Sequence, residues 1–172
     1  MTSTLESVLR EIERHVAEAG WDQPPRLFAL APTDELVVRE PELAEAMGLD
    51  PQSARWTPIE QESLDPSRPL DEALAAIVWP DGVAGAALVL ERLVLPPSAE
   101  ATLPDGDTES EVVAAAAQHP QRQDVRMAVA ALREGGQLCA LRLRAQDRDD
   151  AVVVAADLVP RLAEAVAATL SD

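Results

Sequence analysis

The segment 125–144 admits one kind of local structure. Val125, Met127, Val129 and Ala131 alternate with Arg126, Ala128, Ala130 and Leu132. After Glu134-Gly135-Gly136, Cys139, Leu141 and Leu143 alternate with Ala140, Arg142 and Arg144. A period of two places successive side chains on opposite faces of a strand, and a glycine-bearing break between two such runs signals a hairpin. A three-residue loop over 134–136 sets Ala131 opposite Cys139, Val129 opposite Leu141 and Met127 opposite Leu143. A two-residue loop would mix Met127 and Val129 with Arg142 and Arg144, so the apolar pattern selects the longer loop, with Gly136 at positive φ. In that register Arg126 lies opposite Arg144, and Arg142 is two residues along on the same face.

Other elements follow from similar signals. Ser3-Thr4-Leu5-Glu6 is a capping box, and Leu5, Val8, Leu9, Ile12 and Val16 recur at helical spacing before Gly20. Residues 26–31 read as a strand bounded by Pro24-Pro25 and Pro32. A short helix follows, with Pro41 near its first turn and Gly48 after its last. Residues 56–62 form a strand that Pro58 confines to a sheet edge, since proline has no amide to donate. Residues 69–78 form a helix with Leu70, Leu74 and Ile77 on one face, and Pro80-Asp81-Gly82 is a turn. Residues 83–95 are apolar on both faces apart from Glu91 and Arg92, as a covered central strand requires. Residues 98–118 hold five acidic residues and no basic one, an acidic mobile loop. Asp157 caps a final helix bearing Leu158, Leu162, Val166 and Leu170, with Pro160 in its first turn. The order predicts one α+β domain over 1–172: a mainly antiparallel sheet with N- and C-terminal helices packed on it.

Charge bounds the partners. The chain has 172 residues, 31 of them acidic and 14 basic, for a formal charge of −17. The basic residues are all arginine, and lysine, asparagine and tyrosine are absent. Such a surface repels polyanions, which argues against nucleic acid or an anionic membrane. No apolar run approaches the roughly 20 residues that span a bilayer. The lone cysteine, Cys139, excludes an internal disulfide, and the N-terminus lacks the apolar core of a signal peptide, so the expected location is cytoplasmic.

The missing residue types also remove Schiff-base and tyrosine chemistry. Cys139 falls on the inward face of the hairpin, where a thiol acts as a small hydrophobe. His15 sits on the flank of the first helix and His119 precedes a proline. Neither has the setting of a base. Asp105, Asp107, Glu109 and Glu111 alternate, but a calcium loop from Asp105 would need glycine where Ser110 stands and glutamate where Ala116 stands. No His/Cys spacing suits zinc. Neither a metal nor a cofactor is expected. Gly135-Gly136-Gln137 matches a release-factor tripeptide without the basic surroundings that tRNA contact needs.

That leaves Arg126, Arg142 and Arg144 as the candidate ligand-binding residues. Like charges facing each other across strands are unfavourable unless an anion, or carboxylates of the same chain, cover them.

Several blocks carry a resemblance: Trp21-Asp22-Gln23-Pro24-Pro25-Arg26, Trp79-Pro80-Asp81-Gly82, Glu91-Arg92 and Gln123-Asp124-Val125-Arg126-Met127. The chain resembles a family of conserved hypothetical proteins from high-GC actinobacteria along nearly its whole length. The resemblance implies an origin and a single α+β domain, and no mechanism. In outline the domain is also similar to secretion-chaperone-type domains that bind other polypeptides. The leading reading is a non-catalytic cytoplasmic domain that binds a protein partner, with a homodimer as one form. The alternatives are a small-anion-binding domain using the arginine cluster and a hydrolase with paired carboxylates.

Overall fold

A computed structural model describes residues 5–50, 55–62, 64, 67–80, 82–94, 123–156 and 158–170. The elements run α1 (Leu5–Glu18), β1 (Arg26–Pro32), α2 (Thr33–Arg39), α3 (Pro41–Met47), β2 (Trp56–Glu60), α4 (Leu70–Ala75), β3 (Gly85–Val94), β4 (Gln123–Leu132), β5 (Gln137–Leu143), β6 (Val153–Ala155) and α5 (Pro160–Ala168). The strands form one antiparallel sheet in the order β2-β1-β3-β4-β5-β6. The α+β class and the packing of terminal helices on the sheet are as expected.

The sheet is covered on both sides. The α1 stripe of Val8, Leu9, Ile12 and Val16 packs on Phe28, Leu30, Trp56, Ala87, Val89, Ala128, Ala130 and Ala140. The alanines under α1 carry only a methyl group each, so helix and sheet backbones approach closely at dense packing. On the other face, Ala163, Val166 and Leu170 of the C-terminal segment meet Leu27, Leu74, Leu88, Leu90, Val129, Ala131 and Cys139. Gly85 marks a second close approach: a Cβ there would lie 2.5 Å from the carbonyl oxygen of Ala131.

The hairpin differs from the sequence reading by two residues of register. Val129 pairs with Cys139, Met127 with Leu141, Val125 with Leu143, and Arg126 faces Arg142 rather than Arg144. The Leu132 N–H donates to Gly136 O and the Gly135 N–H to Leu132 O, both at 3.0 Å, so the three-residue loop is Arg133-Glu134-Gly135. A shift of two keeps every side chain on its face, which is why apolar alternation alone does not choose between these registers. Gly135 and Gly136 both adopt φ +110 and supply the turn that does choose.

Other corrections are local. Pro41 opens α3 at its first turn and Gly48 closes it in the left-handed conformation, but a separate helix, α2, precedes it. α4 ends at Ala75, short of 78. β6 was not foreseen; its Val152-Val153-Val154 run has no alternation to signal a strand. α5 begins at Pro160 with Val159 as its N-cap and no side-chain cap bond. Ser3, Asp157 and the 98–118 loop lie outside the described residues. β2 occupies a sheet edge, as Pro58 requires.

Candidate functional site

Arg126 and Arg142 project from β4 and β5 toward α1, in a row with Glu91 of β3. Arg144 stands one residue past β5, in a 3-10 turn over Arg144–Gln146. The fold therefore brings the three candidate arginines into one neighbourhood, but two are buried and one is at the surface. Arg126 is 0% exposed and Arg142 is 3% exposed. Their counter-charge comes from this chain.

Arg142 is the hub. Its Nε donates to Glu13 Oε2 at 2.7 Å and its Nη2 to Glu13 Oε1 at 2.6 Å, a two-pronged pairing. Its Nη1 donates to Asp147 Oδ1 at 3.0 Å and its Nη2 also to Asp149 Oδ1 at 2.5 Å. Glu13 is 1% exposed, so both partners of this pair have left water. The bonds to Glu13, against the opposing effect of burial, hold the Arg142 guanidinium even more firmly protonated than usual.

Arg126 is satisfied differently. Its Nη2 donates to the Gly20 carbonyl and lies 3.6 Å from Glu91 Oε2. Nε and Nη1 are buried without a hydrogen-bond acceptor among the described residues. The guanidinium instead lies 4.3 Å from the centre of the Trp21 ring, whose electron-rich face attracts a cation. The Trp21 segment is tied down around it. The backbone amides of Asp22 and Gln23 donate to the two Glu91 carboxylate oxygens at 2.8 and 3.1 Å. Trp21 Nε1 donates to Asp147 Oδ2 at 3.0 Å. That bond, with Arg142 behind it, holds the Asp147 carboxyl below its ordinary range. Arg144 completes the cluster through Asp22 at 3.1 Å and Asp124 at 3.4 Å, with Trp21 5.5 Å away.

Three arginines thus meet six carboxylates: Glu13, Asp22, Glu91, Asp124, Asp147 and Asp149. The balance is net negative, and the cluster ties α1, the 20–23 segment and the turn after β5 to the sheet. Sequence reading missed Glu13, Trp21 and Asp147. Glu13 carried a signal: it lies four residues after Leu9, on the buried stripe of α1.

Cys139 is buried against the α5 side of the sheet, its Sγ 3.7 Å from Ala156 O. His15 is exposed on α1, on the other side, 3.9 Å from Glu18. The structure does not bring these two together; His119 lies outside the described residues. No cluster of three or more His, Cys, Asp or Glu among the described residues is arranged to hold a metal. No described helix is long and apolar enough to cross a membrane.

Unlike the cluster, α2 and α3 are turned outward. Of their side chains only Thr33 and Ala44 are buried. Val38 is 80% exposed, Met47 51% and Leu43 45%. Leu43 and Met47 are four residues apart and share one side of α3. Asp34, Glu35, Glu40, Glu42 and Glu45 are exposed on the same stretch, with Arg39 exposed among them.

A family model described as PPA1309-like protein matches residues 5–171. No curated protein and no solved structure matches the chain.

Proposed function

The chain belongs to the PPA1309-like family, and on that premise we propose that it is a non-catalytic domain that binds another protein through the outer surface of α2 and α3. The observation that carries this reading is the exposure of Val38, Leu43 and Met47 on two short helices that bury almost nothing of their own. Isolated helices of seven residues are marginal in water, so this pair gains stability from a docking partner. Full burial of each apolar side chain contributes roughly 1.5–3 kcal/mol. The five exposed carboxylates of this stretch, against the single arginine Arg39, call for a partner with an apolar groove and a basic rim. We further infer a high-GC actinobacterial source, supported by the absence of lysine and asparagine, and a cytoplasmic setting, supported by the lone cysteine.

The arginine cluster supports this reading by contrast. A small anion approaching Arg126, Arg142 or Arg144 meets six carboxylates, and each of these three arginines already has at least one of them within ion-pair distance. A photo-crosslinking residue in place of Leu43, expressed in the source organism, tests the proposal. The expected result is a discrete crosslinked partner that disappears with Val38→Asp and Met47→Asp while the melting temperature is unchanged. An inert monomer with no crosslinked species overturns it.

A further inference from the structure

We propose that the β6 edge and the adjoining cleft under α1 form a second docking site, one that takes an extended segment of a partner protein carrying an acidic side chain. This site is independent of the α2–α3 surface.

The two ends of the sheet are built differently. β2, at one edge, carries Pro58, and its Glu60 is paired with Arg26 at 2.6 Å. Proline and charge are devices that keep an edge from recruiting another strand. β6, at the other edge, is Val153-Val154-Ala155, with Val152 before it and Ala156 after it. No charge and no proline interrupts that run. Among the described residues it pairs on one side only, with Cys139, Ala140 and Leu141 of β5, and Val153 is 55% exposed. Its outer side has no strand partner among the described residues, and the backbone amides and carbonyls of such an edge are the template that strand addition uses.

Beside that edge lies a cleft of about 120 Å³ lined by Arg10, Glu13, Arg14, Arg142, Asp149 and Val152. Val152 and Val154 pack with the α1-side core, so the cleft opens on that face of β6. Side chains of an added strand alternate between faces, and every second one is directed to the α1 side. A volume of this size receives one side chain.

Charge identifies that side chain. In a chain where acidic residues outnumber basic ones by 31 to 14, this lining holds three arginines against two carboxylates. Arg142 is shared beneath by Glu13, Asp147 and Asp149 and is committed to them, so the cations available to a ligand are those at the mouth of the cleft. Arg10 and Arg14, one helical turn apart on α1, are exposed, and Arg10 pairs with Glu6 at 3.3 Å in a solvent-exposed contact. They offer an unburied cationic pair to an incoming carboxylate, and exposed pairs such as Arg10–Glu6 exchange partners at little cost. The edge supplies affinity through the backbone, and the arginine-lined cleft supplies selection for aspartate or glutamate.

A displayed library of random octapeptides, selected on the whole chain, tests the site. Enriched sequences should alternate apolar residues and hold an aspartate or glutamate at one fixed position. Replacing that residue by its amide, or Arg10 and Arg14 together by serine, should weaken binding at least tenfold by fluorescence anisotropy. N-methylation at alternate backbone nitrogens of the peptide should abolish binding, because it removes the donors that pair with β6. Val38→Asp should leave binding unchanged, so that loss of the α2–α3 reading and loss of this one are read separately. Enrichment without an acidic residue, N-methylated peptides that bind equally well, or no enrichment overturns the proposal. So does a dimer in solution that Val153→Lys converts to monomer, since a second copy would then own the edge.

Discussion

Glu13 and Arg142, 129 residues apart in sequence, form a buried two-pronged ion pair that joins α1 to β5, one strand in from the sheet edge. α1 has no covalent tether to β5 nearby, so its position on the sheet depends on its apolar stripe and on this pair. The stripe supplies most of the burial. The pair fixes the helix's axial position, because a two-pronged geometry tolerates little sliding.

Breaking that pair from one side is expected to be costly. Glu13→Gln leaves a buried guanidinium short of its main counter-charge and should lower stability by about 3–5 kcal/mol. Replacing both partners with apolar residues of similar size, Glu13→Leu with Arg142→Met, should recover most of the loss. Urea denaturation of the single and double variants reads the difference directly.

Arg144 is a contrasting case. Its pairs with Asp22 and Asp124 are exposed to water. Arg144→Ala should leave the urea midpoint close to that of the wild type, because water screens exposed pairs. Inorganic phosphate should not raise the melting temperature of the wild-type chain or of this variant in a thermal-shift assay.

Gly85→Ala should be among the most damaging single-methyl additions in the protein. The new Cβ would sit 2.5 Å from Ala131 O and 3.0 Å from Leu132 Cδ2. Backbone cannot move aside as a side-chain tip can, so β3 and β4 must separate locally, at roughly 1–3 kcal/mol. Calorimetry of Gly85→Ala beside Gly20→Ala separates crowding from backbone preference: Gly20 has nothing within 4 Å of its added Cβ but sits at φ +85.

Acid should weaken the fold through identifiable groups. Asp147, bonded by Trp21 and Arg142, and Glu60, bonded by Arg26, are both held below the ordinary carboxylate range. A carboxyl with a depressed pKa in the folded state contributes stability that is present above its unfolded pKa and is lost as pH falls through the folded value. These two groups should therefore contribute in full, with no pH dependence, between pH 6 and 8, and their contribution should be lost from about pH 4 downward. Asp147→Asn should flatten that acid slope, with Trp21 fluorescence as the reporter.

Local chemistry in the sequence decided much of this protein. The α1 stripe, the alternation of β4 and β5, the edge position imposed by Pro58 and the αL cap at Gly48 each follow from the preferences of a few neighbouring residues. Tertiary structure decided what depends on distance between remote segments. A two-residue shift in the hairpin leaves every face unchanged, so the turn at Gly135 and Gly136, and not the apolar pattern, sets Arg126 against Arg142. The identity of the counter-charges was equally out of reach. Thirty-one carboxylates were available, and only the packing of α1 and the closure of the Trp21 segment select Glu13, Glu91 and Asp147. β6 had no local signal at all: a short apolar run becomes a strand there because β5 offers it an open edge.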